Sequence, residues 1–229
     1  MLIKGLQKTT LLDFPGKVAC TVFTGGCNFR CPFCHNASLV CDPNSVDTIS
    51  EDTFFSFLSK RKGILDGVCV TGGEPMLMPD LESFCERIKD MGFAVKLDTN
   101  GSYPERLRRM IERGLLDYVA MDIKNSLDAY AQTCGLPELP AGVEESMDLL
   151  MRGTLPYEFR TTIVRELHTA ERIEALAKRI RGCDRYFLQL FTDSGDLLAD
   201  GLSAPSESVA KEWLSIAQKY VPNAKLRGI

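Results

Sequence analysis

The sequence contains no apolar run approaching the roughly 20 residues that a membrane-spanning helix needs. It has no excess of basic charge either: 27 Lys and Arg face 31 Asp and Glu, a net charge of −4, so a nucleic-acid footprint is not expected. No signal-peptide pattern opens it, because Met1-Leu2-Ile3-Lys4-Gly5 turns polar within a few positions. There is no Ser-His-Asp arrangement, phosphate loop, dinucleotide fingerprint or basic-aromatic stripe, and no repeat or low-complexity tract. Histidine is scarce, with two in 229 residues. What remains after these exclusions is an ordinary globular composition, 45% hydrophobic and 25% charged. The length suits a single domain spanning residues 1–229.

Cysteine, by contrast, is abundant: there are nine, an odd number. With no secretory pattern they read as reduced thiols of a cytoplasmic protein, some of them metal ligands. Cys20, Cys69, Cys85 and Cys183 lie in apolar strand or helix patterns and read as small buried hydrophobes. Cys41 and Cys134 read as loop residues.

The other three cluster in the run Cys27-Asn28-Phe29-Arg30-Cys31-Pro32-Phe33-Cys34-His35-Asn36, a C-x3-C-x2-C spacing on a loop after a strand. Three thiolates that close suit three irons of a four-iron, four-sulfur cluster. With no fourth cysteine at ligand spacing, one iron stays open to a substrate. Zinc is the competing reading, since Cys27, Cys31, Cys34 and His35 would make four ligands. Neighbours such as Cys34 and His35, however, are badly placed to close a tetrahedron with two more ligands from the same short loop.

Apolar runs of strand length alternate with helical patterns. Strands are expected at 18–24, 66–71, 93–98, 117–122, 157–164 and 185–191. Helices are expected at 51–61 (Ser50 as N-cap), 79–91 (Gly92 closing it), 104–113, 142–151, 171–180 and 206–220. The stretch 37–49 reads as the longest irregular segment. Alternation at about 30 residues per unit implies crossover helices on a parallel sheet. Six units are too few for a full eight-unit barrel, so the expected fold is α/β, a partial (β/α)6 TIM-type barrel. Its core would span about 18–191, with the helix at 206–220 packed outside.

Functional groups of parallel α/β folds gather at the C-terminal ends of strands, and the polar motifs fall there. Thr71-Gly72-Gly73-Glu74-Pro75 follows the second expected strand. It reads either as a plain Gly-Gly turn or as backbone allowed close to a ligand, with a carboxylate behind it. Asp98-Thr99-Asn100-Gly101 follows the third strand and Asp122-Ile123-Lys124 ends the fourth. Turns explain each singly. Two carboxylates converging on one mouth would repel unless something positive stood between them, either Lys124 or a bound cation. Arg160, inside an apolar strand, points outward or else inward to a carboxylate. Gln189 is a further candidate for the mouth. His168 reads as a solvated loop histidine.

The cysteine run resembles the signature of the radical S-adenosylmethionine superfamily. Gly26-Cys27 and Cys34-His35-Asn36 are similar to the glycyl-radical enzyme activases within it. The flanks Leu12-Asp13-Phe14-Pro15-Gly16-Lys17 and Val22-Phe23-Thr24-Gly25-Gly26 look most like activases of anaerobic ribonucleoside-triphosphate reductase, in a variant form. The resemblance runs over residues 1–191. It implies the same open barrel, a [4Fe-4S] cluster on Cys27, Cys31 and Cys34, and bound S-adenosylmethionine. It also implies a glycyl radical enzyme as partner and a flavodoxin or ferredoxin as electron donor. Under it Phe33 and His35 lie beside the cofactor, Gly72, Gly73 and Glu74 bind its amino group, and Asn100, Lys124 and Arg160 are further contacts. Asp98, Thr99 and Asp122 would line a monovalent-cation site, as at matching positions of the pyruvate formate-lyase activating enzyme. The alternatives are that last enzyme's own activity, a small-molecule radical enzyme of the 7-carboxy-7-deazaguanine synthase type, and a non-catalytic iron-sulfur or zinc module. A hydroxyl residue close after the last cysteine, which the deazaguanine type prefers, is missing at His35-Asn36.

Overall fold

The computed structural model describes every residue except 154 and 229. Eight strands form one sheet whose order follows the chain. They are β1 (Ile3–Thr10), β2 (Ala19–Thr24), β3 (Gly67–Gly72), β4 (Ala94–Thr99), β5 (Tyr118–Asp122), β6 (Tyr157–Ile163), β7 (Tyr186–Leu190) and β8 (Lys225–Arg227). Strand β1 pairs antiparallel with β2, while β2–β3, β3–β4, β6–β7 and β7–β8 are parallel pairs. The helices are α1 (Ala37–Cys41), α2 (Glu51–Ser59), α3 (Leu81–Asp90), α4 (Pro104–Glu112), α5 (Leu127–Cys134), α6 (Val143–Arg152), α7 (Ala170–Arg179) and α8 (Glu207–Gln218). None of the described helices is long and apolar enough to cross a membrane.

The chain divides into two compact units. The first comprises Met1–Asn28, Ser38–Thr99 and Glu105–Val119. Its strands β2 and β3 read as near-continuous apolar runs because both faces are covered, as parallel strands require. Phe54 and Phe55 of α2 and Phe84 of α3 pack with ring centroids 5.1–5.3 Å apart, closing one side of this core. Helix α2 starts where Ser50 accepts from the Thr53 amide at 3.1 Å, a cap that contributes about 1 kcal/mol. On the surface Glu82 of α3 receives Arg109 of α4 at 2.6 Å and Arg113 at 2.8 Å.

The second unit comprises Phe29–Ala37, Asn100–Pro104 and the chain from Ala120 onward. Strands β6 and β7 bury Phe159, Ile163, Tyr186 and Leu188 completely. The hydroxyl of Tyr186 meets Thr161 at 3.0 Å, which satisfies both polar tips. Helix α8 is capped by Ser206, which accepts from the Val209 amide at 3.4 Å.

All six expected strands are present, as β2 to β7, and Cys20, Cys69, Cys85 and Cys183 are buried. The segment 3–10, to which no element was assigned, is a strand, with its alternation broken by register shifts against β2. Several expectations need correction. The stretch 37–49 holds helix α1 and a 3-10 turn at Pro43–Ser45. Cys41 and Cys134 are not loop residues, since each ends a helix, and Cys134 is fully buried. Helix α5 was not expected, although Ser126 before it and the left-handed Gly135 after it (φ 65°) are stop and start signals.

Candidate functional site

In the first unit the parallel register of β2, β3 and β4 brings their C-terminal ends, Thr24, Gly72 and Thr99, to one edge of the sheet. The Gly-Gly segment sits against the residues that lead into Cys27. Gly73 N–H donates to Thr24 O at 3.0 Å and Glu74 N–H donates to Gly26 O at 2.8 Å. A Cβ on Gly73 would fall 1.9 Å from Gly26 O, and one on Gly72 (φ 120°) would fall 2.3 Å from Thr24 N. Both glycines are therefore demanded by close backbone packing within the chain itself.

The side chain of Glu74 is fully buried. Its Oε1 accepts from the Met76 amide at 3.0 Å and from the Thr99 hydroxyl at 2.9 Å, capping the 3-10 turn Pro75–Leu77. On β4, Lys96 is buried at 1% exposure, and its ammonium donates to Asp98 Oδ1. The same ammonium lies 3.7 Å from Cys69 Sγ on β3.

In the second unit the cysteine loop closes as a tight turn, with Cys34 N–H donating to Cys31 O at 3.0 Å. Pro32 O accepts from the Ala199 amide at 3.1 Å. Arg30 N–H donates to Cys134 O at 2.8 Å, which ties the loop to the end of α5. A hydrogen bond from Cys134 draws the Cys31 thiol below its ordinary pKa. Burial opposes this and the Lys124 charge assists it. Burial pushes Cys34 up. Phe33 is buried with the Lys124 ammonium 6.0 Å from its ring centroid. The His35 ring stacks on Phe191 at 5.7 Å.

Asp122 receives Arg160 Nε at 2.8 Å and Lys124 Nζ at 3.0 Å. Burial disfavours the Asp122 charge, but the two cations outweigh it and hold the carboxyl well below the usual range. Burial likewise opposes the Lys124 charge, and Asp122 outweighs it. Arg160 thus meets a carboxylate, the sharper of the two readings of its place in the strand. Asn100 accepts at Oδ1 from the Ser102 amide at 3.0 Å and from the Ser102 hydroxyl at 2.6 Å, a side-chain turn. Gln189 is partly exposed, next to last in β7 and opposite Thr162.

His168 is not solvated. It is buried at 2% exposure, with Nδ1 accepting from the Val164 amide at 3.1 Å. Its Nε2 lies 2.9 Å from Lys124 O, a place that suits a proton on Nε2, and burial favours the neutral ring. Sequence reasoning passed over Lys96, and it read Cys134 as a loop residue away from the site. A charged residue two positions before a strand-end aspartate, and so on the same strand face, was the available signal for Lys96.

The donor set suits an iron-sulfur cluster. Of the thiols Cys27, Cys31 and Cys34, two are partly exposed, and Cys31 is drawn toward the thiolate. Among the described residues no three His, Cys, Asp or Glu side chains converge on one metal ion. A four-iron cluster sets no such demand, because each thiolate takes a separate iron. The residues suit a monovalent cation poorly, because Asp98 and Asp122 each already carry an ammonium or guanidinium.

Residues 21–180 match the model of the Radical SAM superfamily. The chain belongs to that superfamily, and groups there with the glycyl-radical enzyme activating enzymes. A protein of Methanocaldococcus jannaschii, provisionally named a glycyl-radical enzyme activating enzyme, is 33% identical over 238 residues, covering 100% of this chain and 96% of the relative. The pyruvate formate-lyase-activating enzyme of Listeria monocytogenes is 33% identical over 134 residues, 53% of this chain and 52% of its own. In structure, a domain of pyruvate-formate lyase-activating enzyme from Bacteroides vulgatus superposes with a TM-score of 0.59 at 20% identity. That match covers 71% of this chain and 99% of the domain. The structural likeness speaks for the fold.

Proposed function

We propose that this chain is a radical activase, a single radical S-adenosylmethionine domain that installs a glycyl radical on a partner enzyme. The partner we favour is an anaerobic ribonucleoside-triphosphate reductase, with a flavodoxin or ferredoxin as electron donor, in the cytoplasm. The observation that carries the reading is the three-cysteine loop with no fourth cysteine at ligand spacing, in a chain related over its full length to a provisionally named activating enzyme.

Cys27, Cys31 and Cys34 would hold the cluster. Bound there and reduced by the electron donor, it would supply the one electron that splits S-adenosylmethionine into methionine and a radical able to take a hydrogen atom from a glycine Cα of the partner. The chain's own residues orient the cofactor. The backbone carbonyls of the Gly72–Glu74 segment suit its ammonium group, since the Glu74 carboxylate already caps a turn. Lys124 and Arg160, two cations around one carboxylate, leave a net positive charge suited to the methionyl carboxylate. Phe33 and His35 offer ring faces to the adenine.

The test is anaerobic. The protein is reconstituted with iron and sulfide, reduced, mixed with S-adenosylmethionine and assayed for 5′-deoxyadenosine beside Cys31→Ala. Nucleoside from the wild type alone is expected. Candidate glycyl enzymes are then added and a glycine radical sought by electron paramagnetic resonance. A fully loaded four-iron cluster that never yields the nucleoside would sink the reading.

A further inference from the structure

The resemblance assigns a bound monovalent cation to Asp98, Thr99 and Asp122, yet the cation at Asp98 is already part of the chain. Lys96 and Asp98 lie two residues apart on β4 and therefore share a strand face. The Lys96 ammonium donates to Asp98 Oδ1. Lys96 stands directly opposite Cys69 in the parallel register of β3 and β4. Cys69 Sγ lies 3.7 Å from the ammonium and 3.8 Å from Asp98 Oδ1, so the three groups form one compact set, with Cys69 and Lys96 buried and Asp98 half-buried.

A buried ammonium needs a negative partner, and a half-buried carboxylate at its side supplies one. Here that carboxylate is Asp98, and the Lys96 side chain is only 2% exposed. A sodium or potassium ion placed on Asp98 would set a second positive charge beside Lys96 with one carboxylate to share. The neighbouring donors are also engaged: the Thr99 hydroxyl donates to Glu74. In the second unit Asp122 has its own two cations.

We propose that Lys96 is an internal counter-ion that replaces the monovalent cation at Asp98, so that this protein works without one. Lys96 is thus a positioning residue, holding Asp98 where the small ion would otherwise hold it. The effect on turnover rests on the activase reading; the effect on ion binding does not.

Two measurements test it. The first uses the reconstituted wild type, comparing 5′-deoxyadenosine formation and the S-adenosylmethionine dissociation constant in sodium, potassium and N-methylglucamine chloride at equal ionic strength. Agreement within about twofold is expected, while loss of affinity or rate in the organic cation beyond about fivefold would overturn the proposal. Lys96→Met is expected to lose at least about tenfold in the organic cation and to recover in sodium or potassium, since the bare carboxylate would then recruit an ion. A folded Lys96→Met that matches the wild type in all three salts would also overturn it. The second measurement is sodium-23 relaxation on the protein without S-adenosylmethionine, which needs no turnover. No site-bound sodium is expected in the wild type, and saturable binding abolished by Asp98→Asn would refute the internal counter-ion. This arm decides the matter if Lys96→Met does not fold, or if the chain proves not to cleave S-adenosylmethionine at all.

Discussion

The imidazole of His168 stands 2.9 Å from the carbonyl oxygen of Lys124, and through that bond it fixes the backbone from which the Lys124 ammonium reaches Asp122. A histidine 44 residues further along the chain thus holds a strand-end lysine in place.

Removing this ring should cost stability and register at Lys124 together. His168→Ala strands the Val164 amide and the Lys124 carbonyl in the interior, a loss of roughly 2–4 kcal/mol. Urea unfolding reads the loss. Affinity for S-adenosylmethionine should fall in parallel, and unchanged affinity would show that Lys124 needs no such support.

The same residue sets a pH limit. Burial holds the His168 pKa below its ordinary value, against two backbone hydrogen bonds that act to raise it. The unfolded chain therefore binds the proton first, near pH 6.5 by its reference value, and stability falls as pH drops below about 6.5. Above that it is fully retained. Thermal unfolding across pH 5–8 should show this slope in the wild type and a flatter one in His168→Gln.

Asp122 acts in the opposite sense. Its carboxyl is held low by Arg160 and Lys124 against burial, so its contribution is present above about pH 4 and is lost only in stronger acid. Asp122→Asn leaves two facing cations and should cost about 1–3 kcal/mol, discounted for partial exposure. Chemical unfolding at pH 7 measures it. Arg160→Lys should restore little, because an ammonium does not reproduce the directed Nε contact.

Gly73→Ala should act on cluster loading. A Cβ at 1.9 Å from Gly26 O forces apart the strand end and the residue before Cys27, at a cost of at least about 2 kcal/mol. Iron content after reconstitution should drop sharply. Gly92→Ala is the control: its φ is 89° but its Cβ meets open space, so it should cost about 1–2 kcal/mol of strain and leave iron content unchanged.

Glu74→Gln separates a cap from a ligand. The amide oxygen can still accept from Met76 and Thr99, so stability should shift by less than about 1 kcal/mol. If backbone carbonyls hold the cofactor's ammonium, its dissociation constant should change less than about threefold, well under the tenfold step that 1.4 kcal/mol represents. Calorimetric titration decides between the two roles.

The parallel strands were legible because Val18–Thr24 and Asp66–Thr71 are apolar runs bounded by turn residues. Strand β1 was not, since its burial does not alternate and three successive residues face solvent. Strand β8 is three residues long and offers no period to read. Helix α5 has polar Gln132 and Thr133 on its last turn, and Thr133 turns its hydroxyl inward to the Ala129 carbonyl at 2.8 Å. The cysteine loop was legible from spacing alone. The neutral state of His168 and the pairing of Cys134 with Cys31 depend on contacts between distant segments, and no local pattern encodes them.

The two backbone bonds from Gly73 and Glu74 to Thr24 and Gly26 make the end of β3 and the approach to Cys27 one mechanical part. Anyone transplanting the cysteine loop into another scaffold would have to move the Gly-Gly turn with it. Any portable piece of this protein is therefore discontinuous, and includes at least these two segments, some 46 residues apart in sequence, which must arrive together.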